Sequence, residues 1–343
     1  MIKRNILPIT LILATILIVS LLSSCSEMRI IKLGISVELS GPTSDLGLAL
    51  RNGAQLAVEE LNASGGIEGR QIELFIKDDE GNAETARQND LDLIDEGVVA
   101  ILGHATSERT SSVLDIINEN DVILFSGSAT GTEFTGLDDN FLRLTVDTAK
   151  YALATSRHVI SDQTQNELLI IYSKGNDAFV DPFIEVFTED YTSKGGIIID
   201  TFSVCCNLDS YQELAETINE INPPNILAIT TAYDLAHLVQ FSEQIGFSPN
   251  WYSTLWAGTS ELVNKGGSAA EGIELAMSFN PEDSSPEYLA FKLAYQERFG
   301  AEPSLMAVSG YSIIQVLAEA LAETNGQYRG LKNTIIKMEK ISC

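Results

Sequence analysis

The stretch Gly65-Gly66-Ile67-Glu68-Gly69-Arg70, followed by Gln71 to Asp78 and closed by Asp79, decides the fold. It is a glycine-rich stop followed by a strand that ends on an acidic pair. Upstream, Leu50, Ala54, Ala57, Val58 and Leu61 recur at helical spacing, and Ser64-Gly65-Gly66 ends that helix. Further upstream, Ile31, Leu33, Ile35 and Val37 alternate along a first strand. Strand, helix and strand joined this closely form a right-handed unit of a parallel sheet.

The same rhythm continues downstream. Thr85 to Glu96 reads as a helix stopped at Gly97, and Val98 to Leu102 is an apolar run expected of a strand buried on both faces. Ser107 to Asn118 is helical, and Val122 to Phe125 and Phe141 to Thr145 are further strands. The pattern then starts again. Strands are expected at Leu168 to Tyr172, Ile197 to Phe202, Ile226 to Ile229, Trp251 to Thr254 and Ile273 to Phe279. Helices are expected at Asp181 to Thr192, Tyr211 to Ile221 and Asp234 to Gln244. Beyond Asn280-Pro281 the chain turns helical: Pro286 to Phe299, Leu305 to Leu321 and Leu331 to Ile341. The fold class is therefore α/β, two doubly wound Rossmann-like lobes, with the last helices returning to cover the first.

With 343 residues the chain is too long for one ordinary core and suits two domains. Its 48 acidic residues against 21 basic give a net charge of −27. A nucleic acid partner is thereby excluded, because binding one depends on Lys and Arg displacing counterions. The three histidines, His104, His158 and His237, leave little for imidazole catalysis. Cys205 and Cys206 are adjacent, a spacing that suits neither a mutual disulfide nor zinc, so they read as small apolar fillers.

The N-terminus reads as an address. Lys3 and Arg4 precede an uncharged apolar run from Ile6 to Leu22, and Leu22-Ser23-Ser24-Cys25 follows. That ending resembles the lipobox of bacterial lipoproteins, which makes residues 1–25 a signal peptide and Cys25 the lipidated first residue. An uncleaved membrane anchor is the alternative, since the run is near the lower limit for spanning a bilayer. Either way the remainder is exported, and a lipid anchor is its only expected link to the membrane.

In an open parallel sheet, ligands bind beyond the carboxyl ends of the strands. Three loops there are rich in hydroxyls: Leu39 to Ser44, Gly103 to Ser107 and Ser126 to Thr132. Amide groups at a helix start together with Ser or Thr hydroxyls suit a carboxylate or phosphate. Ser107 and Thr130 stand where they serve as N-caps, as ligand donors or as both. No GxSxG, Walker A, HExxH or GxGxxG motif occurs, so neither an enzyme nor a cofactor is expected. His104 fits a polar strand end better than a catalytic base. Asp78-Asp79-Glu80 reads as a solvated turn more readily than as a cation site.

Ile31 to Gly34, Leu39-Ser40-Gly41-Pro42, Gly53 to Val58, Asn62 to Arg70, Lys77-Asp78-Asp79, Gly103-His104 and Ser128-Ala129-Thr130 together resemble the leucine/isoleucine/valine-type substrate-binding proteins of ABC transporters. The resemblance implies a type I periplasmic-binding fold closing like a hinge over a small carboxylate or amino acid, with permease subunits as partners. It implies lobe one at 29–146 plus 281–343 and lobe two at 147–280, with crossings near Thr145-Val146-Asp147 and Ser278-Phe279-Asn280. It places Ser107, Ala129 and Thr130, with Ser128, on the ligand carboxylate, and Tyr233 in the closing lobe.

Departures from the family pattern bear on the ligand. Trp256 stands where an acidic residue would hold an α-ammonium, and Leu46 and Asp177 replace two tyrosines. Asp177, or the Trp256 ring through a cation–π contact, could substitute; otherwise the ligand lacks an α-amino group. The chain ends at Cys343 without the family's third crossing, as expected of a truncated or frameshifted product. A ligand-sensing or regulatory envelope lipoprotein on the same fold, and an exported hydrolase using Ser107, remain as other readings.

Overall fold

The computed structural model describes residues 30–162, 165–204 and 208–338. Lobe one is built on β1 (Ile31–Val37), β2 (Ile72–Asp78), β3 (Ala100–Gly103), β4 (Ile123–Ser126) and β5 (Phe141–Arg143). Its first helices are α1 (Ser44–Ala63), α2 (Ala83–Asp95) and α3 (Ser107–Glu119). Lobe two runs α4 (Thr148–Asp162), β6 (Glu167–Ser173), α5 (Asp177–Ser193), β7 (Ile197–Val204), α6 (Leu208–Ile221), β8 (Asn225–Ile229), α7 (Ala232–Gln244), β9 (Asn250–Thr254), α8 (Ser260–Gly266) and β10 (Glu274–Ala276). Three helices follow: α9 (Pro286–Phe299), α10 (Leu305–Glu323) and α11 (Leu331–Lys337).

Both sheets are parallel. The first has the order β2-β1-β3-β4-β5, and the second, taken from its β7 edge, runs β7-β6-β8-β9-β10. The two lobes therefore repeat one topology, in which the order reverses between the first and third strands. That reversal opens a crevice at the carboxyl ends of β1 and β3 in one lobe and of β6 and β8 in the other.

Side-chain alternation explains why the lobe-one sheet needs helices on both faces. Leu102, Ile123 and Phe125 pack with Leu50, Ala54, Ile313 and Leu317 of α1 and α10. Their neighbours Ile101 and Leu124 pack with Leu93, Val113 and Ile117 of α2 and α3. A strand buried on both sides must be apolar throughout, as β3 and β4 are. Helix α10 is long and apolar enough to cross a membrane, yet 67% of that stretch is buried in the protein, which makes it a core helix. It lies close to α1 because glycine permits it. A Cβ on Gly53 would come within 1.9 Å of the Ala307 carbonyl oxygen, and one on Gly310 within 2.1 Å of that of Leu50.

Several boundaries differ from expectation. Helix α5 starts at Asp177 rather than Asp181, with Pro182 inside it. Pro182 is the sixth residue, beyond the first turn, so it does not mark the helix start and costs the helix the hydrogen bond its amide would make to the Ala178 carbonyl. The strand expected at Ile273 to Phe279 shortens to Glu274–Ala276, paired only with β9. The last helix is Leu331–Lys337. Residues 1–25, read above as a signal peptide ending at Cys25, the Cys205-Cys206 pair, Ile341 and Cys343 lie outside the described residues.

Candidate functional site

The acidic pair of the opening stretch builds the floor of the crevice. The register sets Val37 beside Asp78, so the loop leaving β1 passes directly over the end of β2. Asp78 accepts hydrogen bonds from the Leu39 and Ser40 amides at 2.8 and 3.3 Å and from the Ser40 hydroxyl at 2.6 Å. Asp79 turns inward instead. With Asp90 it holds His104, whose Nδ1 lies 3.0 Å from Asp79 and Nε2 3.2 Å from Asp90, all three fully enclosed. Burial alone would push the imidazole down; Asp90 and Asp79 outweigh that and raise it to about 9. His104 is thus a buried cation between two carboxylates, and the Asp-Asp-Glu segment is only partly a solvated turn.

The capping roles fall on other residues than expected. Thr106 is the N-cap of α3, its hydroxyl accepting from the Arg109 amide at 3.4 Å. The Ser107 hydroxyl reaches sideways to the next loop, accepting from the Thr130 and Gly131 amides, each at 3.1 Å. Thr130 caps no helix; its hydroxyl accepts from Thr148 at 2.9 Å. The Ala129 amide donates to the Ser126 hydroxyl at 3.0 Å, and the Ser128 hydroxyl donates to the Ala105 carbonyl at 2.9 Å. The four residues are brought together and buried, with these donors directed at one another.

Two adjoining cavities lie between the lobes. The smaller, about 20 Å³, is bordered by Leu46, Ser107, Ser128, Thr130, Trp256 and Met306 among others. That volume holds about one water molecule. Phe179 of α5 helps to fill it, its ring 6.0 Å from that of Trp256 and nearly perpendicular to it. The larger cavity, about 570 Å³, is of a size that suits a small-molecule ligand. Its walls come from both lobes, including Thr43, Thr106 and Arg109 after β1 and β3 of lobe one and Lys174, Thr231, Tyr233, Asp234 and Glu261 after β6, β8 and β9 of lobe two. Trp256 and Thr106 border both cavities. Asp177 borders neither and is exposed; its neighbour Asn176 faces the other lobe.

The large cavity is polar and charged. Glu38 is buried, and both its oxygens are held by Thr43, through the amide at 2.8 Å and through the hydroxyl. Burial raises its carboxyl above the usual range despite those bonds. Asp234 accepts from Tyr211 Oη at 2.5 Å and from the Ser173 hydroxyl. Burial raises Glu261, and Asp45 across the lobe gap raises it further. Two donors, Arg109 Nε and Trp256 Nε1, are buried without a hydrogen-bond partner among the described residues.

The lobes touch beside this cavity. The Glu108 amide donates to Asn176 Oδ1 at 3.2 Å, the Ala178 amide to the Glu108 carboxylate at 3.2 Å, and Arg109 to the Gly175 carbonyl at 3.1 Å. Sequence reading missed Arg109, Asn176, Asp234 and Glu261. One signal was available. Thr231 caps α7 after β8 as Thr106 caps α3 after β3, so the second switch point could have been located from the first.

Residues 30–335 match the periplasmic binding protein family. A leucine-, isoleucine-, valine-, threonine- and alanine-binding protein of Pseudomonas aeruginosa is 22% identical, the match covering 85% of this chain and 78% of that protein. Leu/Ile/Val-binding protein homolog 3 of Brucella melitensis is 28% identical over 42% of this chain and 40% of its own length, so that match spans less than half of the relative. Among solved structures, the branched-chain amino acid transporter substrate binding protein LivJ from Streptococcus pneumoniae, in complex with isoleucine, superposes with a TM-score of 0.84 at 24% identity, covering 90% of this chain and 88% of that one. A solute binding protein of an ABC transporter from R. palustris, in complex with benzoate, superposes with a TM-score of 0.80 at 18% identity over 90% and 85% of the two chains.

Proposed function

The chain belongs to the periplasmic binding protein family, and from that premise we propose that it is the extracytoplasmic solute-binding component of an ABC importer. It captures an amino acid or small carboxylic acid between its lobes, 29–146 plus 281–343 and 147–280, and delivers it to permease subunits. The relatives named for leucine, isoleucine and valine and the isoleucine-bound fold neighbour support this ligand class. The observation that carries the reading is the large cavity, which is walled by residues of both lobes at once. A ligand seated there touches both lobes, so it favours the closed form over the open one by the contacts only closure provides. Cys25 anchors the exported chain to the membrane.

A binding role also fits the hydroxyls better than turnover does. Ser107 Oγ accepts from two amides, and His104, the one imidazole in the neighbouring loop, is locked between Asp79 and Asp90. A seryl nucleophile needs a base within hydrogen-bond reach of its hydroxyl.

The test is a thermal-shift series on the purified chain with aliphatic, polar and aromatic amino acids and with the matching acids. A ligand raises the melting temperature by mass action, more at each higher concentration. At least one compound is expected to do so without being consumed. Turnover of an ester or amide that disappears in Ser107→Ala would overturn the reading.

A further inference from the structure

A further cavity, of about 620 Å³, shares no residue with the two between the lobes. Its walls are α1, α9, α10 and Ser278 to Asn280, the segment that leaves β10 of the second sheet for α9. The interior is aromatic. Phe279 meets Tyr288 edge to face with ring centres 5.5 Å apart, and Phe291 lies 4.7 Å from Tyr311. Tyr288 and Phe291 are buried, whereas Phe279 and Tyr311 keep part of their surface in contact with water.

The charge around this cavity has one sign. Glu60, Asp283 and Glu287 border it, with no Lys, Arg or His among the described residues of its wall. The inter-lobe cavity differs, setting Arg109 and Lys174 against its acids. Lys292, one turn beyond Tyr288, is ion-paired with Glu302 at 2.9 Å. The Tyr311 phenol donates to Glu60 at 2.6 Å, and the Ser285 amide and hydroxyl donate to Asp283 at 2.9 and 3.0 Å. The Glu287 carboxylate has no hydrogen bond or ion pair among the described residues. Burial first, and then Glu60, push the Tyr311 phenol up to about 12, so it remains a donor beside the acid.

A chain with 48 acidic residues sets acids beside many hollows, so the charge alone assigns nothing. Ser312 supplies the separate observation. It belongs to α10, lines the cavity and is only 4% exposed. Its hydroxyl makes no hydrogen bond among the described residues, not even the one to the carbonyl four residues back that helical serines often make. Nor is the oxygen sealed into the packing as those of Ser36 and Ser156 are, so it opens onto the cavity. Buried hydroxyls are mostly paired, and this one has its lone pairs and its hydrogen free for an occupant. Aromatic faces, carboxylates and an unbonded hydroxyl oxygen all present negative charge or the negative end of a dipole, which selects a cation. The acids are the exposed members of the wall and the rings the more buried ones. A cation that enters exchanges water for aromatic surface, which suits a methylated ammonium, weakly hydrated and apolar outside, better than a bare one.

We propose that this cavity is a second ligand site, separate from the inter-lobe cleft, and that it takes a methylated organic ammonium ion. The cation lies among Phe279, Tyr288, Phe291 and Tyr311, faced by Glu60 and Glu287. The site goes beyond the solute-binding reading and does not depend on it.

Calorimetric titration of the purified full chain with choline tests this. Two analogues accompany it: 3,3-dimethylbutan-1-ol, in which carbon replaces the charged nitrogen, and ethanolamine, which lacks the methyl groups. Choline is expected to bind once per chain, with the alcohol and ethanolamine each at least tenfold weaker. Glu287→Gln and Phe279→Leu should each weaken choline fivefold or more. Glu287 is exposed, so its variant keeps the fold, which an unchanged melting temperature without ligand verifies. Tyr233→Leu, in the cleft, should leave choline affinity unchanged. No binding of choline refutes the proposal, as does binding of the alcohol or of ethanolamine as tight as that of choline. So does a loss on Tyr233→Leu with none on Glu287→Gln, since choline would then sit between the lobes.

Discussion

In lobe one, the loops at the carboxyl ends of β3 and β4 bond to each other, with Ser107 holding the next loop by two amides and Ser126 holding the Ala129 amide. In lobe two, Lys174 after β6 and Tyr233 and Asp234 in the first turn of α7 line the large cavity. The strand order is the same in both. Topology therefore fixes where a binding loop stands, while the side chains decide whether it is scaffold or contact. The β3 and β4 loops of lobe one hold one another as a floor, and lobe two supplies most of the side chains that line the large cavity.

The sharpest test of that contrast is His104→Leu. Two carboxylates, Asp79 and Asp90, would remain buried without their cation, and breaking a buried ionic cluster in this way costs about 3–5 kcal/mol. Urea unfolding should show the loss, and lobe-one amides should lose protection from hydrogen exchange first. The pH dependence has a definite sign. The folded state raises His104 from 6.5 to about 9, so its contribution is complete below the unfolded value and disappears as pH rises through about 9. The stability gap between wild type and variant should therefore be widest near pH 6 and narrow by pH 10. A gap independent of pH would mean that His104 is neutral and held by packing alone.

Ser107→Ala comes next. It leaves the buried Thr130 and Gly131 amides without an acceptor, a loss of about 1–3 kcal/mol. The matching change in lobe two, Asp234→Ala, removes one acceptor of the Ser173 and Tyr211 hydroxyls beside a cavity that water can enter, so about 0.5–1.5 kcal/mol is expected. If Asp234→Ala proves the costlier of the two, the division into scaffold and contact lobes is reversed.

The same contrast explains what could be read from sequence. The two-lobe α/β fold was legible because buried parallel strands such as Ile101 to Gly103 must be apolar and their helices must stop at glycines such as Gly66 and Gly97. The hydroxyl loops of lobe one were legible as a group because local motifs place them. Their individual roles were not: Thr106 took the cap expected of Ser107, since one residue of phase separates capping from reaching across to the next loop. The charged wall of lobe two was least legible. Glu261 of α8, Tyr233 of α7 and Lys174 after β6 come from three separate elements, and only the folded chain makes them neighbours. Asp177 illustrates the same limit, since a helix that starts four residues early turns Asn176 inward and Asp177 out to solvent.

Asn176→Ala should have the smallest effect on stability and is the most specific to closure. Asn176 accepts from the Glu108 amide of the other lobe at 3.2 Å and makes no side-chain capping bond to its own helix. Its loss therefore leaves each lobe intact and removes a contact that exists only while the lobes are together. Urea stability is expected to change by less than about 1 kcal/mol. The unliganded chain should nonetheless open, because a shift of even that size moves a two-state hinge by several-fold. Small-angle scattering would register the opening as a larger radius of gyration, reversed by saturating ligand. An unchanged radius, with or without ligand, would mean that Glu108, Arg109 and Gly175 hold the lobes without Asn176, and that the interface is set by α3 rather than by the start of α5.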